Sequence, residues 1–307
     1  MGAGILRWTM EKSVAHLILN PAANKGRGAS QQVEISGFLA KRGIRPIWHV
    51  TEERGHASEI VEDLPHDALA VAVGGDGTVR EVAAACTGTA RTLGVLPVGS
   101  GNDYVKALGI GTKVGRALEV LTAGNIRTVD AGEANGLKFN NGLGIGFDAE
   151  VAAGVSEAPA YLGGVGRYLW SVGRLLWNFE CHDAVLKLDD GQTVESKTIL
   201  VAAALGTTYG ARFRLAPRAV LDDGMFDVVW SEEVSRTEVL KLIPRAFGSS
   251  LLEHPKIHMA RSREIEVTLA EKVPAHVDGE ILEPARNFHA RVLPGALRIV
   301  APAPKLG

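Results

Sequence analysis

The stretch Leu69-Ala70-Val71-Ala72-Val73-Gly74-Gly75-Asp76-Gly77-Thr78 joins five apolar residues to a turn in which three of four residues are glycine. The apolar run is the right length for a strand buried on both faces, and helical periodicity follows over residues 78–86. Glycines let the backbone turn sharply and let a charged ligand approach its N–H groups. A helix that starts at such a turn aims its unpaired N–H groups and the positive end of its dipole at that ligand. The natural guest is an anion such as a phosphate chain. Asp76 would repel phosphate unless a magnesium ion lay between them, so the motif implies a Mg²⁺-nucleotide. Taken alone, it reads equally as a structural βα turn with Asp76 as an N-cap.

Similar turns lie on either side. Val14-Ala15-His16-Leu17-Ile18-Leu19 runs into Asn20-Pro21-Ala22-Ala23-Asn24, with Lys25 and Arg27 just beyond. A strand over residues 93–98 runs into Gly99-Ser100-Gly101-Asn102-Asp103 and another helix. Between them the pattern predicts a helix over 29–42 stopped at Gly43, a strand over 44–50 and a short helix over 56–64 ended by Pro65. Alternation of this kind predicts an α/β N-terminal domain, Rossmann-like, with a mostly parallel sheet between helices. Ligands bind such sheets at the carboxyl ends of the strands, where all three loops fall.

The pattern changes near residue 126. Asn135-Gly136 and Asp190-Gly191, each flanked by alternating apolar residues, predict hairpins. Further strands are expected over 198–205, 226–230, 265–269, 275–277 and 296–301, giving a β-rich, sandwich-like C-terminal domain. Two helices interrupt it, one over 161–179 and one opening at the capping box Ser235-Arg236-Thr237-Glu238. The expected division is 1–128 and 129–290, with 291–307 a C-terminal strand and tail that could return to the first domain.

The composition fits a globular enzyme: 307 residues, 46% hydrophobic and 22% charged. With 33 Lys and Arg against 35 Asp and Glu, there is no electrostatic footprint of a nucleic-acid partner. Two cysteines, Cys86 and Cys181, make no disulfide framework. No apolar run spans a bilayer, the first residues lack a signal-peptide core, and Leu6 stands where a myristoylation signal needs Ser or Thr. The expectation is a cytoplasmic protein, with peripheral contact at the inner membrane surface open. Also absent are a P-loop G-x-x-x-x-G-K-[ST], a dinucleotide G-x-G-x-x-G, a His-Glu-x-x-His and a G-x-S-x-G elbow.

Asn20-Pro21, Gly74-Gly75-Asp76-Gly77-Thr78 and Gly99-Ser100-Gly101-Asn102-Asp103 together resemble the diacylglycerol kinase catalytic-domain family, which includes sphingosine kinases and bacterial YegS-like lipid kinases. The likeness continues through Asn141-Gly142-Leu143-Gly144-Ile145-Gly146-Phe147-Asp148, Ala216-Pro217 with Leu221-Asp222-Asp223-Gly224, and Asp278-Gly279-Glu280. The resemblance implies an ATP site on the α/β domain and an active site in the cleft between the domains. It implies that Asn20, Thr51, the Gly74 to Thr78 loop and Ser100 line the nucleotide. Pro21, Ala22, Ala23 and Asn24 on one loop, and Asn102 and Asp103 on another, are assigned to the same site. Asp76 would help hold the catalytic Mg²⁺-phosphate, and Glu280 would take the lipid hydroxyl proton. A second Mg²⁺ would use Asp223 and backbone carbonyls near Val220 and Met225. Tyr209-Gly210-Ala211-Arg212-Phe213 departs from the family, which is often Gly-richer after the Tyr.

Asp278 joins Glu280 and Asp76 as a catalytic candidate, because an extended backbone would put Asp278 and Glu280 on one face. A plain hairpin turn is the alternative there, as it is at Asp222-Asp223-Gly224. Asp148 either contributes to the site or caps a helix starting at Ala149. In residues 161–179, Tyr168, Leu169, Trp170, Leu175, Leu176 and Trp177 accompany Arg167 and Arg174, which suits a membrane interface, although core packing is the commoner fate of such a stripe. The expected function is ATP- and Mg²⁺-dependent phosphorylation of a lipid hydroxyl, diacylglycerol first. A soluble-substrate kinase of the NAD kinase type and a catalytically silent sensing module are the alternatives. A homodimer is left open.

Overall fold

In the computed structural model, which describes residues 6–7, 14–23, 30–178, 180–208, 213–248 and 250–303, the chain divides into two units. They are Met1–Asp130 with Gly295–Gly307, and Ala131–Pro294. The first is organised by a parallel sheet. Its strands are β2 (Val14–Leu19), β3 (Arg45–Val50), β4 (Leu69–Gly74), β5 (Thr92–Pro97) and the end of β15 (Glu280–Val300), in the order β15–β5–β4–β2–β3. A short antiparallel pair joins β1 (Leu6–Arg7) to the start of β6 (Asn125–Ala134).

Every residue of β4 and β5 is buried, as near-continuous apolar runs in a doubly covered sheet should be. Gly94 lies under the helix Val114–Ala123: a Cβ there would sit 2.7 Å from Leu121 Cδ1, so glycine lets helix and strand meet directly. The helix Gln32–Ala40 carries the chain from β2 to β3 on one side. The helix His56–Glu62 then brings it back past β2 to β4, and the helix Asp76–Cys86 leads on to β5. Connections therefore leave β2 and β4 in opposite directions, and a crevice opens outside their carboxyl ends. The helix after β4 begins at Asp76, two residues earlier than expected, because Gly75 is the extended N-cap and Asp76 and Gly77 are already helical.

The second unit is antiparallel. β7 (Leu137–Phe139) pairs with β6 across Asn135 (φ 47°) and Gly136 (φ 84°), the left-handed pair of a type I′ turn. β8 (Gly142–Gly146) leads into the helices Phe147–Glu157 and Gly163–Leu175. β9 (His182–Leu188) and β10 (Thr193–Thr198) form the second expected hairpin. β11 (Leu200–Ala204), β12 (Phe226–Ser231), the helix Arg236–Gly248, β13 (Ile257–Ser262) and β14 (Glu264–Val277) follow, and the pairing order is β13–β12–β11–β8–β14–β15. The capping box forms: Ser235 N–H donates to Glu238 Oε2 at 2.8 Å, and Glu238 N–H donates to Ser235 Oγ at 3.3 Å.

Two expectations need correction. The strand expected over 198–205 breaks at Ile199, where the Thr198 and Ser231 hydroxyls take over ladder bonds: Ile199 N–H donates to Ser231 Oγ and Leu200 N–H to Thr198 Oγ1. The strands expected over 265–269 and 275–277 are one strand, β14. Its first part pairs with β9 and its last part with β8, and register shifts between Thr268 and Ala275 absorb the change. Bulges let one strand pass between two layers of a sandwich, and Pro274 lies where the ladder is already interrupted. Buried Phe213, Val229, Val239, Leu242 and Leu251 gather between this sheet and the helix Arg236–Gly248. Among the described residues, no helix is long and apolar enough to cross a membrane.

Candidate active site

The carboxyl ends of β2, β3, β4 and β5 are in register, with Leu19 opposite both Val50 and Val73, and Gly74 opposite Pro97. The residues that follow these strands therefore share one edge of the sheet. Asn20 donates its N–H to Val73 O at 3.2 Å and accepts the Ala22 N–H on Oδ1 at 2.9 Å, an Asx turn that shapes the Pro21-Ala22-Ala23 loop. Asn24, Lys25 and Arg27 lie outside the described residues. Thr51 is buried and bonds Leu19 O through both its N–H (2.9 Å) and its hydroxyl (3.3 Å).

The loops after β4 and β5 are locked together. Gly99 faces Gly75 so closely that a Cβ on Gly99 would lie 2.4 Å from Gly75 Cα. Asp76 reaches across and accepts the Asn102 N–H on Oδ2 at 2.7 Å and the Asp103 N–H on Oδ1 at 2.8 Å. A Cβ on Gly101 would meet Asp76 Oδ2 at 2.4 Å. Asn102 takes a left-handed conformation (φ 55°) and donates Nδ2–H to Gly99 O at 2.8 Å. Asp103 pairs with Lys106 at 2.9 Å. Thr78 folds over Gly74, whose Cβ would lie 2.3 Å from Thr78 Oγ1. Gly77, by contrast, is exposed and has nothing within 4 Å of its Cβ position. Ser100, in the loop after β5, is exposed as well.

Chemically, this edge offers the first N–H groups of the helix Asp76–Cys86, which no helical carbonyl can accept, behind an open Gly77. Burial pushes the Asp76 carboxyl up and the Asp103 charge adds to it; the two N–H bonds and Lys106 offset this only in part. A cation beside Asp76 would relieve that excess. Each Asp76 oxygen keeps a lone pair beyond the N–H it accepts, so these residues fit a divalent ion.

The other sequence candidates lie in the second unit. Asp278 and Gly279 are the two left-handed residues (φ 51° and 84°) of a tight turn between β14 and β15, with Val277 paired to Glu280. This overturns the expectation that Asp278 and Glu280 share a face by strand alternation. The Asp278 carboxylate accepts three backbone N–H groups, from Asn140 on Oδ2 (2.8 Å) and from Asn141 and Gly142 on Oδ1 (2.9 and 2.8 Å). Its own N–H donates to Gly142 O at 3.0 Å. Asn141 extends the brace, donating Nδ2–H to Thr208 O at 2.9 Å and accepting the Leu205 and Gly206 N–H groups on its carbonyl. Tyr209 to Arg212 lie outside the described residues. Glu280, half-buried, is the first residue of β15.

Asp223 accepts the Met225 N–H on Oδ1 at 3.1 Å and pairs through Oδ2 with the Arg261 guanidinium. Arg261 Nε also lies 3.6 Å from Asp227 Oδ1. Burial raises the Asp227 carboxyl; Arg261 offsets that and Asp223 adds to it. A second Mg²⁺ drawing on Val220, Asp223 and Met225 would have to displace a cation already in place. Asp148 lies in the first turn of the helix Phe147–Glu157 and bonds His276, at 2.9 Å between Oδ2 and Nε2. Sequence reasoning missed His276 and Arg261. His276 carried a faint signal, a histidine on an otherwise apolar strand end; Arg261 carried none.

The fold and these loops define a kinase with an α/β domain and a β-sandwich-like domain. The profile of the diacylglycerol kinase catalytic domain matches residues 14–134, and that of the YegS C-terminal NAD kinase beta sandwich-like domain matches residues 142–301. The protein named "Probable lipid kinase YegS-like" from Pseudomonas aeruginosa strain PAO1 is 35% identical over 96% of each chain. A diacylglycerol kinase from Bacillus subtilis strain 168 is 28% identical over 87% of this chain and 89% of its own. A crystal structure of a diacylglycerol kinase from Bacillus anthracis str. Sterne shares the fold, with a TM-score of 0.75 at 23% identity over 98% and 100% of the two chains. The chain belongs to the diacylglycerol kinase catalytic-domain family of lipid kinases.

Proposed function

We propose that this kinase transfers the γ-phosphoryl group of ATP to the free hydroxyl of a membrane lipid, diacylglycerol giving phosphatidic acid. The observation that carries the reading is the open Gly77 at the start of the helix Asp76–Cys86, in a loop pinned by Asp76 to the Asn102-Asp103 backbone. Such a cradle holds a phosphate chain by N–H groups that need no reorganisation. Asn20, Thr51 and Ser100 complete the nucleotide site along the same strand ends, with Pro21, Ala22 and Ala23 as its wall. Asp76 would hold the Mg²⁺, which would neutralise the phosphate charge.

Phosphoryl transfer demands mainly positioning, because its transition state is loose. Glu280 accepts the proton of the acceptor hydroxyl as that oxygen bonds to the γ-phosphorus and the bond to the ADP oxygen breaks. Asp278 holds the turn that precedes Glu280.

The region over 160–178 supports a lipid-surface contact. Tyr161 and Trp177 are 86% and 82% exposed, with Leu169 exposed between them, while Ser171 and Val172 face inward. Exposed aromatics of this kind settle at a bilayer interface.

The deciding experiment is transfer of ³²P from labelled ATP to a panel of lipids in mixed micelles with Mg²⁺, with Asp76→Ala alongside. Labelled phosphatidic acid that vanishes in the variant supports the reading. Labelling of another lipid moves the acceptor assignment. Labelling of NAD and no lipid overturns the proposal.

A further inference from the structure

The second unit holds a buried acid–histidine pair that the phosphoryl-transfer steps above leave without a task. His276 is 5% exposed and lies two residues before the turn that leads to Glu280. Its Nε2 is 2.9 Å from Asp148 Oδ2, and its Nδ1 is 3.1 Å from the Gly279 backbone N. These partners define the proton's place. A carboxylate only accepts and an amide N–H only donates, so Nε2 carries the hydrogen and Nδ1 presents its lone pair. The ring is neutral in this arrangement.

Room for the pair is built into β8. A Cβ on Gly144 would lie 2.3 Å from Asp148 Oδ2 and 2.7 Å from His276 Nε2. Any side chain at 144 would separate them. Burying a carboxylate and an imidazole is costly, and an apolar pair of similar volume would serve packing as well or better. What the apolar pair could not do is accept the Gly279 N–H. That bond secures one side of the Asp278–Gly279 turn, while the Asp278 carboxylate, held by the three N–H groups of residues 140–142, secures the other. Asp278 and Gly279 adopt the left-handed pair that an Asp-Gly turn favours, and the two bonds hold that turn from both sides.

We propose that His276, its Nε2–H tautomer set by Asp148, is a positioning residue for Glu280, seating the Gly279 N–H and so the turn that sets the base. This role rests on the reading of Glu280 as the proton acceptor. It also makes the turn sensitive to pH. A charged ring would present Nδ1–H to the Gly279 N–H, two donors facing each other. The charged groups acting on the ring are Asp148, from the helix Phe147–Glu157, and Asp278, from the turn. Burial disfavours the charged ring, but these two carboxylates outweigh it and lift the histidine above its ordinary value. The acid form therefore gains population near neutral pH. By linkage the fold gains stability from that charged pair at low pH and loses it as pH rises through the folded value. Turnover moves the opposite way, falling as the ring becomes charged.

The test measures kcat and the ATP KM between pH 5.5 and 8.5 for the wild type and for His276→Asn, His276→Leu and Glu280→Gln. Asn places its Oδ1 near the position of Nδ1 and cannot be protonated in this range. His276→Leu is expected to lower kcat about tenfold, the rate equivalent of one net hydrogen bond, with the ATP KM within about twofold. His276→Asn should keep kcat within about threefold at pH 8, and its kcat relative to wild type should rise as pH falls. Any acid limb that Glu280 itself contributes is common to both and cancels in that ratio. Amide exchange at Gly279 reads the bond directly, and should speed up in the Leu variant but not in the Asn variant. A Glu280→Gln enzyme with wild-type kcat overturns the base assignment and the positioning role with it. An inactive Glu280→Gln beside a His276→Leu at wild-type kcat overturns the positioning role alone. Equal impairment of the Asn and Leu variants, with a ratio flat in pH and no change in Gly279 exchange, reduces His276 to packing and also overturns it.

Discussion

Replacing Gly99 with alanine, and Gly77 with alanine in a parallel variant, separates the two reasons for glycine at the nucleotide loops. A Cβ on Gly99 would lie 2.4 Å from Gly75 Cα, 3.2 Å from Gly75 N and 3.0 Å from Asn102 Oδ1. Carbon atoms in contact prefer about 3.5–4.0 Å, so the deficit exceeds about 1 Å against backbone that has no rotamer to change. Relief requires the loops after β4 and β5 to part, at the cost of ~1–3 kcal/mol seen for overpacking. At about 1.5–2 °C per kcal/mol for a chain of 307 residues, the melting midpoint should fall by roughly 2–6 °C. The Asp76 bonds to the Asn102 and Asp103 N–H groups cross the same seam, so the ATP KM should rise as well. Gly77 has nothing within 4 Å of its Cβ position and sits in the first turn of a helix. Alanine there should raise stability by up to ~1 kcal/mol through helix propensity. The methyl group would nonetheless stand where phosphate approaches, raising the ATP KM at an unchanged or higher midpoint. Differential scanning fluorimetry with and without ATP, beside steady-state kinetics, reads both quantities. A Gly99→Ala protein with the wild-type midpoint refutes the close approach. A Gly77→Ala protein with the wild-type ATP KM refutes the phosphate path.

Asp278→Asn removes the charge and one of two acceptor oxygens from three backbone donors, which should cost about 2–4 kcal/mol in urea unfolding and lower kcat more than the ATP KM. A stable, fully active variant would show that the brace is dispensable. Arg261 already supplies a cation to Asp223 and Asp227, so in an Asp76→Ala background, with the other cation position removed, the midpoint should differ by no more than about 1 °C between EDTA and millimolar Mg²⁺. Adding Arg261→Ala to that background should lose about 1–3 kcal/mol and regain part of it with Mg²⁺; a parent stabilised by Mg²⁺ as much as the double variant would favour a metal there instead. The Cys86 thiol is fully buried and pushed up to about 12 by that burial. At pH 8 a native sample should show one slowly reacting thiol with Ellman's reagent, Cys181, and two after denaturation. Two fast equivalents in the native protein would contradict the packing around the helix Asp76–Cys86.

What the sequence made legible is what is encoded locally. Leu69 to Val73 reads as a buried strand because its neighbours along the chain are enough to say so, and Asn135-Gly136 reads as a hairpin because only such residues tolerate a type I′ turn. The capping box at Ser235 is legible for the same reason. Legibility ended where a residue's partner is distant in the chain. Asp76 and Asp278 are both site candidates in the sequence, and in the structure both also accept N–H groups from the backbone of an asparagine-containing loop. Asp76 takes Asn102 and Asp103, 26 and 27 residues away; Asp278 takes Asn140, Asn141 and Gly142, 136 to 138 residues away. The device is the same at both places. A carboxylate beside a glycine-rich turn accepts N–H groups that would otherwise be left without partners, and so fixes one loop against another. Each brace holds a neighbouring feature in place: the open helix start at Gly77 for Asp76, and the turn before Glu280 for Asp278. An acid that braces a loop and one that does not leave the same mark in a sequence, an Asp next to Gly. Only the geometry of the distant N–H groups distinguishes them, which is also why His276, bonded on one side to Asp148 and on the other to Gly279, could not be assigned from its place in the chain.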